Sequence, residues 1–274
     1  LLLYLSFNDN YNNIVRDDSG NVLGSNITSG SNNISFVNDA SGTGLKCGNT
    51  STVDLLFPHT PAMTTALQSG NWTLSFWYTF ETEGDWKDIF RFKGTWSNGG
   101  NKSSTHWRVE HSNDTATHSG PWAGIYTNAG TGNINTSAHT SATVPYGERN
   151  HWVVKCDKSG AGRIQLYKNG VYLSQSDTDW GNVSMTNITG SWQLFTANCT
   201  NEVIDEVRVY NRVLNDNEIA GLYAYPGGIT GTIISGDNIQ TGVIQSTNLS
   251  STAGSEIDLN AGKMALGGTL NGGL

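Results

Sequence analysis

With 274 residues, 36% of them hydrophobic and 10% aromatic, the chain carries enough apolar material for one large sandwich core and an additional element. Charged residues make up only 14% and the formal net charge is −8 with no dense Lys/Arg cluster. This excludes nucleic-acid binding and disfavours acidic polysaccharides as partners. The nine Trp argue against disorder, and no apolar run is long enough to span a membrane, so no membrane insertion is expected.

Leu1–Phe7 alternates into the polar turn Asn8-Asp9-Asn10 and reads as a first strand. The opening lacks a basic region and a cleavage site, so it is not read as a signal peptide. With no initiator Met, the chain is expected to start inside a longer polypeptide. A turn-rich stretch follows from Asp17 to Ser31, then short strands over 34–37, 44–47 and 52–57. The strongest strand signal is Trp72–Phe80, where Trp72, Leu74, Phe76 and Tyr78 take one face and Thr73, Ser75, Trp77 and Thr79 the other. Further strands are expected over 88–92, 107–110, 123–126, 152–156, 163–167, 171–173, 192–195 and 203–210. Asn169-Gly170 is a tight-turn signal between two of them. Helix is expected only over Asn215–Tyr223, with Asn215 as cap and Glu218 three residues on. So many short strands separated by turns indicate an all-β sandwich or jelly roll. Three cysteines, Cys47, Cys156 and Cys199, leave at least one outside any bridge within the chain.

Four segments carry a family resemblance: LLLYLSFNDN with VRDDSGN, WTLSFWYTF, RNHWVVKCDKSGAGRIQLYKNGVYL, and VIDEVRVYNRVLNDNEIAGLY. In that order they resemble laminin-G-like domains of the concanavalin A-like lectin/glucanase kind. The resemblance covers Leu1 to about Tyr225. It implies a jelly roll over residues 1–225, and a structural calcium shared between the last strand and the loop after the first. Asp205 would be its ligand from the strand, with Asn8, Asp9 and Asp17 from the loop. Read on strict alternation, Asp205 shares a face with Val203, Val207 and Val209, and a core-facing Asp must be paired or metal-bound. The family's hydrolases carry Glu-x-Asp-x-x-Glu. Here Glu202-Val203-Ile204-Asp205-Glu206 departs from that spacing, and Glu202 and Glu206 lie about 13 Å apart along a strand. They are read as surface charges, and no enzyme is expected. The six His are read as ordinary polar residues.

The segments Glu81–His106 and Ser112–Trp122 are expected as loops holding Trp86, Trp96, Asn98, Asn101, His118 and Trp122. Indole faces stack on sugar rings while amides take the hydroxyls, so these residues are the candidate carbohydrate site. After Pro226 aromatics vanish and Ile229, Ile234, Ile239, Ile244 and Leu249 recur every five residues among Gly, Ser and Thr. This stretch resembles tailed-bacteriophage fibre repeats. The resemblance implies a 226–274 stalk of intertwined β-prism or β-helix type, in which those five residues hold a homotrimer. The leading expectation is therefore a non-enzymatic virion tail-fibre protein, extracellular when acting. It would bind a bacterial cell-surface glycan through its jelly roll and contact other virion or tail proteins. Alternatives are a purely structural virion protein and a secreted polysaccharide hydrolase.

Overall fold

The computed structural model describes residues 1–8, 14–21, 25–26, 34–39, 42–48, 55–58, 60–80, 87–98, 101–114, 118–127, 136–139, 144–160, 162–176, 184–186, 191–197, 201–227, 243–245, 255–258, 263–266 and 270–271. In chain order the elements begin with β1 (Leu3–Leu5), β2 (Ile14–Val15), β3 (Ser25–Asn26), β4 (Ile34–Asp39), β5 (Gly42–Cys47), β6 (Leu55–Pro58), α1 (Pro61–Ser69) and β7 (Asn71–Thr79). Then come β8 (Lys87–Asn98), β9 (Asn101–Asp114), β10 (His118–Thr127), β11 (Thr136–His139), β12 (Arg149–Asp157), β13 (Arg163–Lys168) and β14 (Val171–Gln175). The jelly roll closes with β15 (Ser184–Thr186), β16 (Ser191–Ala197), β17 (Val203–Tyr210) and α2 (Asp216–Ala224). The last strands are β18 (Val243–Gln245), β19 (Ser255–Asp258), β20 (Lys263–Leu266) and β21 (Leu270–Asn271).

Two antiparallel sheets make the sandwich. One runs β14-β13-β12-β7-β17-β5-β4, with β1 added on β17; the other runs β11-β10-β9-β8-β16-β6, with β15 added on β8. The alternation read in β7 sets the layers: Trp72, Leu74, Phe76 and Tyr78 enter the main core with Trp152, Val154 and Cys156 of β12 and Ile204, Val207 and Val209 of β17. Thr73, Ser75, Trp77 and Thr79 lie on the outer face of the same sheet, yet they too are buried, because α2 and neighbouring side chains cover that face. A separate small core of Val153, Tyr167, Leu214 and Ile219 anchors α2. The β13–β14 turn is as tight as Asn-Gly suggests: Lys168 pairs Val171 across it, with φ at 52° for Asn169 and 79° for Gly170.

Three expectations need correction. The stretch 61–69 is helical: Thr60 accepts the Met63 amide as N-cap, Pro61 opens the first turn, and Gly70 ends it at φ 74°. The supposed loops within 87–122 are in large part long strands. Ser, Thr and Asn there pair their backbones in a β8–β9–β10 meander, and that pairing is indifferent to side-chain polarity. In β17, strict alternation fails. A bulge between Asp205 and Arg208, with Glu206 at φ 53°, puts Ile204, Val207 and Val209 in the core, while Asp205 and Arg208 pair with the outward Trp77 and Ser75.

Residues Leu1–Gly228 form one unit and Ile229–Leu274 a second. The second holds an antiparallel β18-β19-β20-β21 sheet, in which Ile244 pairs Ile257 and Ile257 pairs Met264. Among its described residues nothing supports a distinct β-prism or β-helix stalk. Ile229, Ile234, Ile239 and Leu249 lie outside the described residues; Ile244 sits in β18.

Candidate functional site

The long-stranded sheet brings part of the candidate carbohydrate site together and separates the rest. Trp122 on β10 pairs Glu110 on β9 and His139 on β11, and Glu110 pairs Asp88 on β8. Asp88, Glu110, Trp122 and His139 thus occupy one backbone register row across β8, β9, β10 and β11. His118 pairs Asp114 at the end of the β9–β10 hairpin, four residues along β10 from Trp122. Trp96 pairs Ser103 on β9 and Met185 on β15, and Asn98 pairs Asn101 at the end of the β8–β9 hairpin. Asp88 and Trp96 are eight strand residues apart, about 26 Å, so Trp96, Asn98 and Asn101 belong to a different end of the sheet from Trp122. Trp86 lies outside the described residues. Sequence reasoning missed Asp88, Glu110 and His139 as neighbours of Trp122. Alternation carried through the whole of β9 would have put Glu110 in such a row.

The outer face of the other sheet carries a buried polar network. Arg149 donates through Nε to Asp39 and through Nη2 to Asp205, both at 3.1 Å, and its guanidinium lies 4.1 Å from the Trp77 ring centre. Beside it, Arg208 pairs with Glu206 and donates to the Tyr4 hydroxyl and the Pro226 carbonyl. Tyr4 donates its hydroxyl proton to Glu206 at 2.9 Å. His151 Nε2 is 2.8 Å from Ser75 Oγ, and Tyr223 of α2 stacks on Trp77. Burial, partly offset by Arg208, raises the Glu206 carboxyl to about 6. Burial, aided by Arg208 and Arg149, lowers the His151 imidazole to about 3, so it is neutral in ordinary buffers. Among the described residues, Trp77 Nε1, His151 Nδ1, Glu206 Oε1 and Arg208 Nη1 are buried polar atoms without a protein hydrogen bond.

Glu202 and Glu206 are fully buried, which corrects their reading as surface charges. Of the residues expected to hold calcium, Asp205 is paired with Arg149 and caps the Glu206 amide, and Asp17 accepts the amides of Tyr4, Ser19 and Asn21. Asn8 accepts the Thr43 amide, and Asp9 lies outside the described residues. Among the described residues no group of three or more His, Cys, Asp or Glu is placed to hold a metal ion.

Residues 48–220 match the family model described as the Concanavalin A-like lectin/glucanases superfamily. Comparison with curated proteins found no match. Among solved structures, domain 4 of AbnA, a GH43 extracellular arabinanase from Geobacillus stearothermophilus in complex with arabinotriose, is similar at 18% identity and TM-score 0.57, over 81% of this chain and 98% of that one. A Trypanosoma rangeli sialidase in complex with sialic acid is similar at 15% identity and TM-score 0.53. The binding domain of Paraclostridial Mosquitocidal Protein 1 is similar at 14% and 0.54. Each is matched over 81% of this chain, which spans 32% of the sialidase and 51% of the toxin domain. These findings overturn the expectation of a non-enzymatic virion tail fibre, whereas its lectin-like, carbohydrate-binding character is in line with the family match. The arabinanase and the sialidase that share the fold are carbohydrate-acting enzymes.

Proposed function

The chain belongs to the Concanavalin A-like lectin/glucanases superfamily, and from this we propose that it acts on carbohydrate as part of a secreted polysaccharide hydrolase. The observation that carries this reading is the Asp88–Glu110–Trp122–His139 row. An aromatic residue beside carboxylate and imidazole meets both needs of sugar recognition, a stacking face and hydroxyl partners. Asp88 and Glu110, paired in register across β8 and β9, are the two carboxyl residues that this reading nominates as general acid and nucleophile, a different placement from the Glu202–Glu206 run. The disulfide at Cys47 supports an oxidising, extracellular setting. Among the described residues no helix is long and apolar enough to cross a membrane.

The test is reducing-sugar release from arabinan, β-glucan and xylan, with binding followed by calorimetry. Glu110→Gln is expected to cut release about 100-fold or more with binding retained, and Trp122→Ala to weaken binding about tenfold. A chain that neither binds nor cleaves any of the polysaccharides would overturn the proposal.

A further inference from the structure

In the sheet that does not contain Trp122, and on the helix packed against it, three tyrosines stand open to solvent. Tyr172 is 47% exposed on the edge strand β14, Tyr223 is 41% exposed on α2, and Tyr225 is 46% exposed just beyond it. Val171, between the turn and Tyr172, is 69% exposed. The β13–β14 turn holds the strand and the helix together: a Cβ placed on Gly170 would lie 3.2 Å from Ala220 Cα and from Tyr223 Cβ. A side chain there would crowd the helix, and the φ of 79° favours glycine as well.

Tyr223 and Tyr172 are held by rings beneath them. Tyr223 stacks on Trp77, with centroids 5.7 Å apart and planes 24° apart, and Trp77 is itself clamped under Arg149. Tyr172 meets Tyr167 edge-on at 5.6 Å, and Tyr167 is fixed by donating its hydroxyl proton to Asp216 at 2.8 Å. Trp77 is 8% and Tyr167 2% exposed, so each open ring rests on a buried one. Solvent-facing rings that are already ordered lose little conformational freedom when a ligand settles on them, which is the condition for an efficient stacking platform. Their chemistry, apolar faces edged by hydroxyls, matches the alternating C–H faces and hydroxyl rims of sugar rings.

We propose that Tyr172 and Tyr223, with Tyr225 at the margin, form a second glycan-stacking surface that takes a neutral oligosaccharide. This rests on the carbohydrate reading above. The overall charge of −8 disfavours an acidic glycan and leaves a neutral one, while Asp216 and Glu218 in the first turn of α2 are engaged by Lys155 and Arg212. A surface of this kind, in a different sheet from the row that holds the candidate carboxylates, would keep a polymer on the protein while another segment of it is handled there.

Arabinohexaose, cellohexaose and xylohexaose, titrated into the full chain by NMR and calorimetry, test the proposal. Tyr172→Ala and Tyr223→Ala are each expected to weaken one of these ligands about three- to tenfold. Tyr223→Phe keeps the ring on Trp77 and should bind within about twofold of the parent, which separates lost stacking from a disturbed helix. Trp122→Ala should leave the tyrosine resonances responding to ligand. If a hexasaccharide binds and Trp122→Ala weakens it while both tyrosine variants leave it unchanged, this inference fails and the carbohydrate reading stands. If none of the three binds anywhere, both fail. If light scattering shows self-association that Tyr172→Ala abolishes without changing glycan affinity, the surface is a contact between copies and the inference falls.

Discussion

His151 and Glu206 are buried neighbours whose proton affinities depart from the ordinary in opposite directions. The folded imidazole refuses a proton until about pH 3, whereas an unfolded one takes it near 6.5, so His151 costs stability progressively as pH falls below 6.5. The folded Glu206 carboxyl accepts a proton near 6 and an unfolded one near 4.5, so Glu206 returns stability as pH falls through that window. The shift of about 1.5 units corresponds to about 2 kcal/mol. These two contributions oppose each other between pH 6 and 4.5. Glu206→Gln removes the counterweight, and urea denaturation from pH 7 to 4.5 should show the variant losing about 2 kcal/mol more than the parent; parallel profiles would refute this. Asp205 offers a second test. It is buried against Arg149 and accepts the Glu206 amide, so Asp205→Ala should cost about 1.5–3 kcal/mol by removing one of the guanidinium's two carboxylate partners and uncapping that amide, and chelator should change neither protein's melting temperature. A chelator-dependent loss would instead restore a metal role. Alternation along β17 marked Asp205 as a residue needing a partner, but it could not say which. The bulge that turns Asp205 outward is a backbone event with no signature in polar–apolar order, and Arg149 is 56 residues away.

Elements were legible in proportion to how apolar they are. β7, β12 and β13 alternate strongly because one of their faces fills the core, and the Asn-Gly turn announces itself through backbone conformation. β8, β9 and β10 are built of Ser, Thr, Asn, Gly and His over much of their length, so only their apolar fragments read as strand. This also hid the candidate site, since the Glu110–Trp122 pairing exists only once β9 and β10 are in register. The helix α1 was overlooked because Thr60-Pro61 signals a turn as strongly as a helix start. The helix α2 was readable from its cap: Asn215 accepts the Glu218 amide at 3.0 Å and Glu218 accepts the Asn215 amide at 2.9 Å. Its one fully buried side chain is Ile219. With so little burial, the cap has large influence on whether the helix forms. Asn215→Ala should destabilise it by about 1 kcal/mol, seen as roughly fivefold faster amide exchange across 216–224 with β7 and β12 unchanged. Uniform acceleration in all three would show that α2 opens only with the whole fold.

Among the described residues, those of the main core and of the small core under α2 lie between Leu2 and Leu222. A chain ending at Gly228 should therefore melt within a few degrees of the full chain by calorimetry, and a drop beyond about 10 °C would show that the second unit supports the first. Composition alone marked the change after Pro226, because aromatics stop there; of the five regularly spaced residues beyond it, only Ile244 falls among the described ones, in β18. The guanidinium of Arg208 gathers Tyr4, near the start of the jelly roll, and the carbonyl of Pro226, near its end. The first strand and the end of the closing segment are thus fastened to one side chain of β17. Tension between Leu1 and Pro226 would fall first on β1 and on Arg208, at one margin of the first sheet, and should peel the three residues of β1 from β17 before it reaches the other strands.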